Sequence, residues 1–344
     1  MKTVFVVDDS LSNLAIVADA LNPFYTVVTV PSGAKAIALL EKVQPDMILL
    51  DIEMPEMDGF EVLQILKSSN KHRHIPVIFL TAKIDFQSEV KGLEMGVVDF
   101  ISKPFNPAIL LNRVRNHIHI SSLVIKRTTQ LHNARQDVIF VLADIVENRD
   151  ESTGDHLGRT SRLVKMLLER MLQQRVYYDQ IKNWDFDLMA ECSLLHDVGK
   201  ICTPDSILKK PGKLTPEEFE IMKNHALEGK NIIERIIARS GENVFLRNAR
   251  IFAMSHHERW NGNGYPYGLS GESIPLQGRI MAIVDVFDAL MSQRTYKPAF
   301  SPEETLAIIK KERGQHFDPA IVDVFFDIQD VIMQDYCDRG SLNE

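Results

Sequence analysis

The chain has 344 residues, of which 45% are hydrophobic and 25% charged, with a net charge of -8 and three cysteines. That length suits two domains, each able to bury a core, and the acidic balance lacks the positive field that a nucleic-acid polymer would require. Cys192, Cys202 and Cys337 make no disulfide framework, the apolar runs are too short to span a bilayer, and the first run ends at Asp8-Asp9 as a buried strand would rather than a leader, so a cytoplasmic protein without membrane partners is expected.

Short aliphatic runs at 4–7, 27–30, 47–50, 77–80 and 97–101 have the composition of strands buried on both faces. Helical stretches at 11–21, 34–43, 59–66 and 89–95 fall between them. The alternation predicts an α/β, doubly wound, five-stranded parallel sheet, which places ligands at the carboxyl ends of its strands. Asp8-Asp9, Asp51, Thr81 and Lys103-Pro104 fall at those ends. Three converging carboxylates would repel one another without a hard cation, and Mg²⁺ suits an all-oxygen site. Lys103 would then balance a phosphoryl group and Thr81 could donate a hydrogen bond to it. Turn and capping roles account for any one of these residues, but not for all four at once.

These residues resemble the receiver domain of two-component response regulators over 1–120, a flavodoxin-like fold. The resemblance implies that Asp51 is the phosphoacceptor, that Asp8 and Asp9 hold Mg²⁺ with it, that Thr81 and Phe100 form the switch pair, and that Lys103 contacts the phosphate. It also implies a cis peptide at Lys103-Pro104 and a histidine kinase as phosphodonor.

From 117 to 147 there is neither proline nor glycine, and Ile118, Leu123, Ile125, Leu131, Val138, Phe140 and Leu142 alternate irregularly with polar residues. A long helix is expected, with 121–146 as the connector between domains. The apolar pattern is too irregular to predict a coiled coil. Such a connector could transmit rotation or dimerisation, or act as a spacer, and a homodimer or another protein partner is left open.

The segment 147–344 has helical patterns at 161–172, 186–195, 217–225, 229–238, 279–291 and 302–311, predicting an all-α bundle. Pro216 after Thr215 and Pro302 after Ser301 open two of these helices. Six histidines lie beyond His132, and five fall in short motifs: His156, His196, His225 and His256-His257. His196 and Asp197 are expected at the end of an apolar helix with Lys200 one turn on, and His225 at the close of another. Asp285 lies in the apolar run 280–290, where a carboxylate needs a partner. Seven nitrogen and oxygen donors exceed one tetrahedral zinc and suit two octahedral ions bridged by Asp197, with Fe or Mn favoured and Ni, Co or Zn open. Two ions about 3.5–4 Å apart clamp a phosphoryl oxygen, which predicts hydrolysis of a phosphate ester.

The motifs Arg149-Asp150, Thr153-Gly154-Asp155-His156, His196-Asp197-Val198-Gly199-Lys200, Lys210-Pro211-Gly212, His256-His257-Glu258-Arg259-Trp260, Gly264-Tyr265-Pro266 and Asp285-Val286-Phe287-Asp288 together resemble the HD-GYP branch of the HD phosphohydrolases. The resemblance implies hydrolysis of cyclic di-GMP to linear pGpG, with onward hydrolysis to GMP left open. By position, His156, His196, Asp197 and Asp285 would hold one ion, and Asp197, His225, His256 and His257 the other. His196, Asp197 and Lys200 would form the catalytic group, and Lys200, Tyr265, Asp288, Arg294 and Lys297 would meet the substrate. Members with three metals carry a glutamate four residues before the position of His156; here it is Ser152, and the adjacent Glu151 would point about 100° away on a helix. Two metals are therefore expected. A non-catalytic effector binding the dinucleotide or a protein, and a phosphodiesterase for another cyclic dinucleotide, are the alternatives.

Overall fold

The computed structural model describes residues 1–82, 86–150, 156–292 and 299–340. The chain divides into two compact units, Met1–His132 and Asn133–Glu344.

The first unit alternates strand and helix: β1 (Thr3–Val7), α1 (Leu11–Leu21), β2 (Thr26–Val30), α2 (Gly33–Leu40), β3 (Met47–Asp51), α3 (Gly59–Ser68), β4 (Val77–Thr81), α4 (Phe86–Glu94) and β5 (Asp99–Ser102). The strands form one parallel sheet in the order β2-β1-β3-β4-β5, the doubly wound fold that the alternation predicts. Each strand feeds two cores. Phe5, Val7, Ile48, Leu50 and Phe79 pack on one face, while Val4, Val6, Leu49, Ile78 and Leu80 pack on the other. This two-sided burial explains why the strands are aliphatic runs instead of alternating patterns, each large side chain contributing about 1.5–3 kcal/mol. An Asp58–Glu61 capping box starts α3, and Ser10 caps α1 by accepting from the Asn13 backbone N–H.

Helix α5 runs unbroken from Pro107 to Glu147, longer at its N-terminal end than the connector expected from sequence. The second unit continues with α6 (His156–Gln174), α7 (Tyr178–Ile181), α8 (Phe186–Ser193), α9 (Asp205–Leu208), α10 (Pro216–Lys223), α11 (His225–Ser240), α12 (Val244–Ser255), α13 (Leu276–Met291), α14 (Pro302–Lys311), α15 (Pro319–Asp327) and α16 (Gln329–Gly340). Its core gathers Leu163, Val164 and Leu167 from α6, Phe252 from α12, Ile280, Ile283 and Phe287 from α13, and Phe325 from α15. Thr215–Glu218 and Ser301–Glu304 capping boxes, each with proline at the first helical position, start α10 and α14 where the prolines predicted.

The structure moves two expected placements. His196 and Asp197 lie in the turn after α8, which ends at Ser193, and a 3₁₀ turn (Val198–Cys202) follows. His225 opens α11 instead of closing α10: Asn224 ends one helix and begins the next, and the His225 ring reaches back to the Met222 carbonyl at 2.7 Å. No described helix is long and apolar enough to cross a membrane.

Candidate functional site

In the first unit, the strand ends converge as the alternation requires. Asp51 closes β3, Asp8 follows β1 and Lys103 follows β5; Lys103 Nζ lies 2.6 Å from Asp51 Oδ2 and 2.8 Å from Asp8 Oδ2. One oxygen each of Asp8, Asp9 and Asp51 lies within 4.8 Å of the others, with Asp9 exposed and the other two buried. Burial raises the pKa of Asp51; the Lys103 hydrogen bond works against this and the Asp8 charge reinforces it, leaving a net rise. The arrangement holds more negative charge than one lysine neutralises and suits a divalent cation bound by oxygen. Thr81 and Phe100 are both buried, and Phe100 meets Phe79 edge-on with centroids 5.8 Å apart. The Lys103-Pro104 peptide is cis.

In the second unit, five histidines and two aspartates from five segments form two adjoining groups: Asp197, His225, His256 and His257, and His156, His196 and Asp285. What makes this a candidate metal site is the direction of the nitrogens. His196 Nδ1 donates to the Ser193 carbonyl at 2.8 Å, His225 Nδ1 to Met222 at 2.7 Å and His256 Nδ1 to Ala253 at 3.0 Å. A carbonyl only accepts, so these rings carry their proton on Nδ1 and, when neutral, present the Nε2 lone pair inward. His225 Nε2 and His256 Nε2 then face each other at 3.3 Å, and both approach Asp197 Oδ1, at 3.2 and 3.4 Å. Lone pairs aimed at a carboxylate oxygen repel it. Asp197 Oδ1 and His196 Nε2 are buried with no hydrogen-bond partner, so the donor set fits a divalent cation.

The other Asp197 oxygen lies 3.4 Å from His196 Nε2 and 2.8 Å from Lys200 Nζ, so the carboxylate faces both groups. Burial opposes its ionisation, but Lys200 and His196 outweigh this and hold it well below the usual carboxylate range. Burial likewise opposes a charge on His196, yet Asp197, Asp285 and Glu147 hold its pKa up at about 9, a measure of the negative charge around it. His257 is held far below its usual value by burial and by the neighbouring His256 and His225. His156 Nε2 lies 3.9 Å from Asp285 Oδ1, and Asp285 is 20% exposed, facing a cavity instead of the apolar core that its sequence neighbours suggested.

That cavity, of about 290 Å³, is lined by Glu147, Lys200 and Tyr265 and, from the two donor groups, by His156, Asp197, His225, His257 and Asp285. Tyr265 stacks obliquely on His257, centroids 4.6 Å apart, and has Phe219 at 6.4 Å. Asp288, expected against substrate, lines the cavity and also contacts a metal-site histidine. Its carboxylate is buried, 2.6 Å from His156 Nδ1 and 2.6 Å from Arg159 Nε, and accepts from Tyr336 at 2.9 Å. It orients His156 from behind. Arg294, Lys297, Glu151 and Ser152 lie outside the described residues.

Three contributors have no role in the sequence reading. Arg159 sits one turn after His156 on α6, an i, i+3 spacing that sequence could have exposed. Glu147, the last residue of α5, lies 3.6 Å from Lys200 Nζ. Arg149 donates to the carbonyls of Lys200, Ile201 and Thr203 at 3.2, 2.9 and 3.2 Å and to Asp205 at 2.6 Å, gripping the turn that carries Lys200. Gly199, in that turn, lets main chains touch: a Cβ there would fall inside the His225 carbonyl oxygen.

Two family patterns match the chain, the response regulator receiver domain over residues 4–115 and the HD domain over 141–321. A probable cyclic di-GMP phosphodiesterase of Vibrio cholerae is 42% identical over 338 residues, covering 94% of this chain and 77% of that protein. The chain belongs to the HD-domain response regulators. Among other members of this family, a cyclic di-GMP phosphodiesterase response regulator of Xanthomonas campestris is 34% identical over 93% of this chain and 86% of its own length. A cyclic di-GMP phosphodiesterase of Thermotoga maritima is 34% identical over 98% and 92%.

Proposed function

We propose that this HD-domain response regulator hydrolyses cyclic di-GMP to pGpG, using two divalent ions, Fe or Mn, and that phosphorylation of Asp51 by a histidine kinase controls the activity. The observation that carries the reading is the inward set of lone pairs on His196, His225 and His256 around Asp197, which with His225 and Lys200 lines the cavity. His156, His196, Asp197 and Asp285 would hold one ion, and Asp197, His225, His256 and His257 the other. Ions so held supply positive charge to the phosphoryl oxygens and lower the pKa of water.

The protein's own groups do the rest. The backbone carbonyls that accept from the histidine Nδ1 atoms fix the rings before anything binds, so little reorganisation is needed. Lys200, steadied by Glu147 and Asp197, presents an ammonium to the phosphate that bears the developing charge. Tyr265, its hydroxyl pKa raised by burial, stays protonated and offers a flat face and a donor at the wall of the cavity. In the receiver unit, Asp51 is the acceptor carboxylate and Lys103 the cation that pairs with the phosphoryl group.

The test is turnover of cyclic di-GMP by the full chain reloaded without oxygen with Fe²⁺ or Mn²⁺, beside His196→Ala and Asp197→Ala. Product from the parent alone supports hydrolysis at this centre, whereas equal turnover by all three places the activity elsewhere. Tight binding without turnover by the parent would make the chain an effector. Metal analysis should give two tightly held ions per chain in the second unit. Asp51→Asn should lose the response to a phosphodonor; an unchanged response would remove Asp51 from its role.

A further inference from the structure

The cavity at the donor groups is small for a cyclic dinucleotide. At about 290 Å³ it lies just below the roughly 300–1,000 Å³ of pockets that enclose a small ligand. Such a substrate carries two purines and two ribose phosphates, so when one phosphate reaches the donor groups, one base remains outside the mouth. Met222 lines the cavity, which puts α10 at its edge. Phe219, Met222 and Lys223 lie at i, i+3 and i+4 and share one face of that helix. Phe219 is 47% exposed, in a helix that buries none of its side chains. Its ring meets Tyr265 edge-on, and Tyr265 in turn lies against His257 of the donor groups. Lys223 Nζ sits 5.5 Å from the ring centroid of Phe219 and 5.9 Å from that of Tyr265.

A lone exposed aromatic needs no explanation. Here, however, a flat apolar ring and an ammonium continue the cavity wall outward from Tyr265, on a helix held in place at both ends. The Thr215–Glu218 capping box and the 2.7 Å bond from Lys210 to Glu218 fix its start. At its end the Met222 carbonyl accepts from His225 Nδ1, so the turn that orients a metal-site histidine also places Phe219. We propose that Phe219 and Lys223 form a second substrate subsite outside the cavity, where the distal purine of the dinucleotide stacks on Phe219 and Lys223 pairs with the second phosphate. The proposal rests on the reading of the substrate as cyclic di-GMP. Glu220, which meets Lys223 at 2.6 Å, is exposed, and a surface pair of that kind yields readily to a phosphate. Because every base has a flat face, the subsite selects a dinucleotide over a smaller ester without choosing between guanine and adenine.

The test compares cyclic di-GMP with bis(p-nitrophenyl) phosphate, a phosphodiester without a purine, on the full chain loaded with Mn²⁺. Phe219→Ala should raise KM for cyclic di-GMP about 10-fold with little change in kcat, and so lower the ratio of kcat/KM for the two substrates by about the same factor. Phe219→Trp should keep KM near that of the parent, because the larger ring stacks as well. Lys223→Gln should raise KM for cyclic di-GMP, and that rise should shrink in high salt. Ile221→Ala, exposed on the same helix but about 200° around from Phe219, should leave the ratio unchanged. A parent that fails to hydrolyse cyclic di-GMP overturns the substrate reading and the subsite together. A parent that hydrolyses it, with a KM indifferent to Phe219→Ala or with kcat/KM falling equally for both substrates, overturns the subsite alone.

Discussion

Asp288 Oδ2 lies 2.6 Å from His156 Nδ1, on the side of the ring away from Asp285. The contact fixes which nitrogen faces the donor group, and Arg159 holds the carboxylate in turn at 2.6 Å. Burial opposes the ionised form of Asp288, but His156 and Arg159 outweigh it and lower the pKa, so the charge persists across the working pH range. Asp288→Asn should weaken metal binding at the His156 group by about 10–100-fold while leaving the fold intact. Metal titration followed by calorimetry reads this directly; an unchanged affinity would strip Asp288 of its orienting role.

Arg149 makes four hydrogen bonds to the turn holding Lys200, three of them to main-chain carbonyls. Arg149→Gln should cost about 1–3 kcal/mol of stability in the second unit and lower kcat about 10-fold with a smaller change in KM, because the Lys200 ammonium loses its placement beside Asp197. Arg149→Lys should rescue little, since a point charge cannot span several acceptors. Thermal melts together with steady-state kinetics separate the two effects, and full rescue by lysine would reduce Arg149 to a mere positive charge.

His316 stacks on Phe317 with centroids 4.4 Å apart, and burial, aided by Arg259, drives its pKa down from 6.5 to about 4. Between these values the unfolded chain binds a proton that the folded chain refuses. The neutral ring's contribution is therefore complete above pH 6.5 and is lost as pH falls towards 4. Because the ring is only partly buried, the effect is about 2 kcal/mol or less. Denaturant melts from pH 7 to 4 should show a shallower stability loss for His316→Gln than for the parent; parallel curves would rule His316 out as the sensor.

Much of this was legible in the residues. The receiver sheet follows from aliphatic runs with acidic residues at their ends, because two-sided burial leaves strands little compositional freedom. The seven donor residues were also legible, since histidine is otherwise scarce beyond His132. Helix α12 was not, although Phe245, Ala249 and Phe252 keep helical spacing, because Arg247, Asn248 and Arg250 interrupt the run. The role of Asp288 escaped for a different reason: its partner His156 is 132 positions away, and no local pattern reports which side of a ring a distant carboxylate will approach. The same holds for Arg149, whose grip on 200–205 depends on where α5 ends.

At Gly199, two main chains touch, one leading from His196-Asp197 and the other opening α11 at His225. Side chains elsewhere in a core can yield by changing rotamer, but a peptide pressed against a peptide has nothing to rotate. Gly199→Ala should therefore act as a wedge, driving α11 off as a body and carrying His225 out of reach of Asp197. The centre would then fail in a block, losing several donors at once where removal of one histidine would lose a single bond. In this fold the gauge of the metal centre is set by the thickness of the backbone itself.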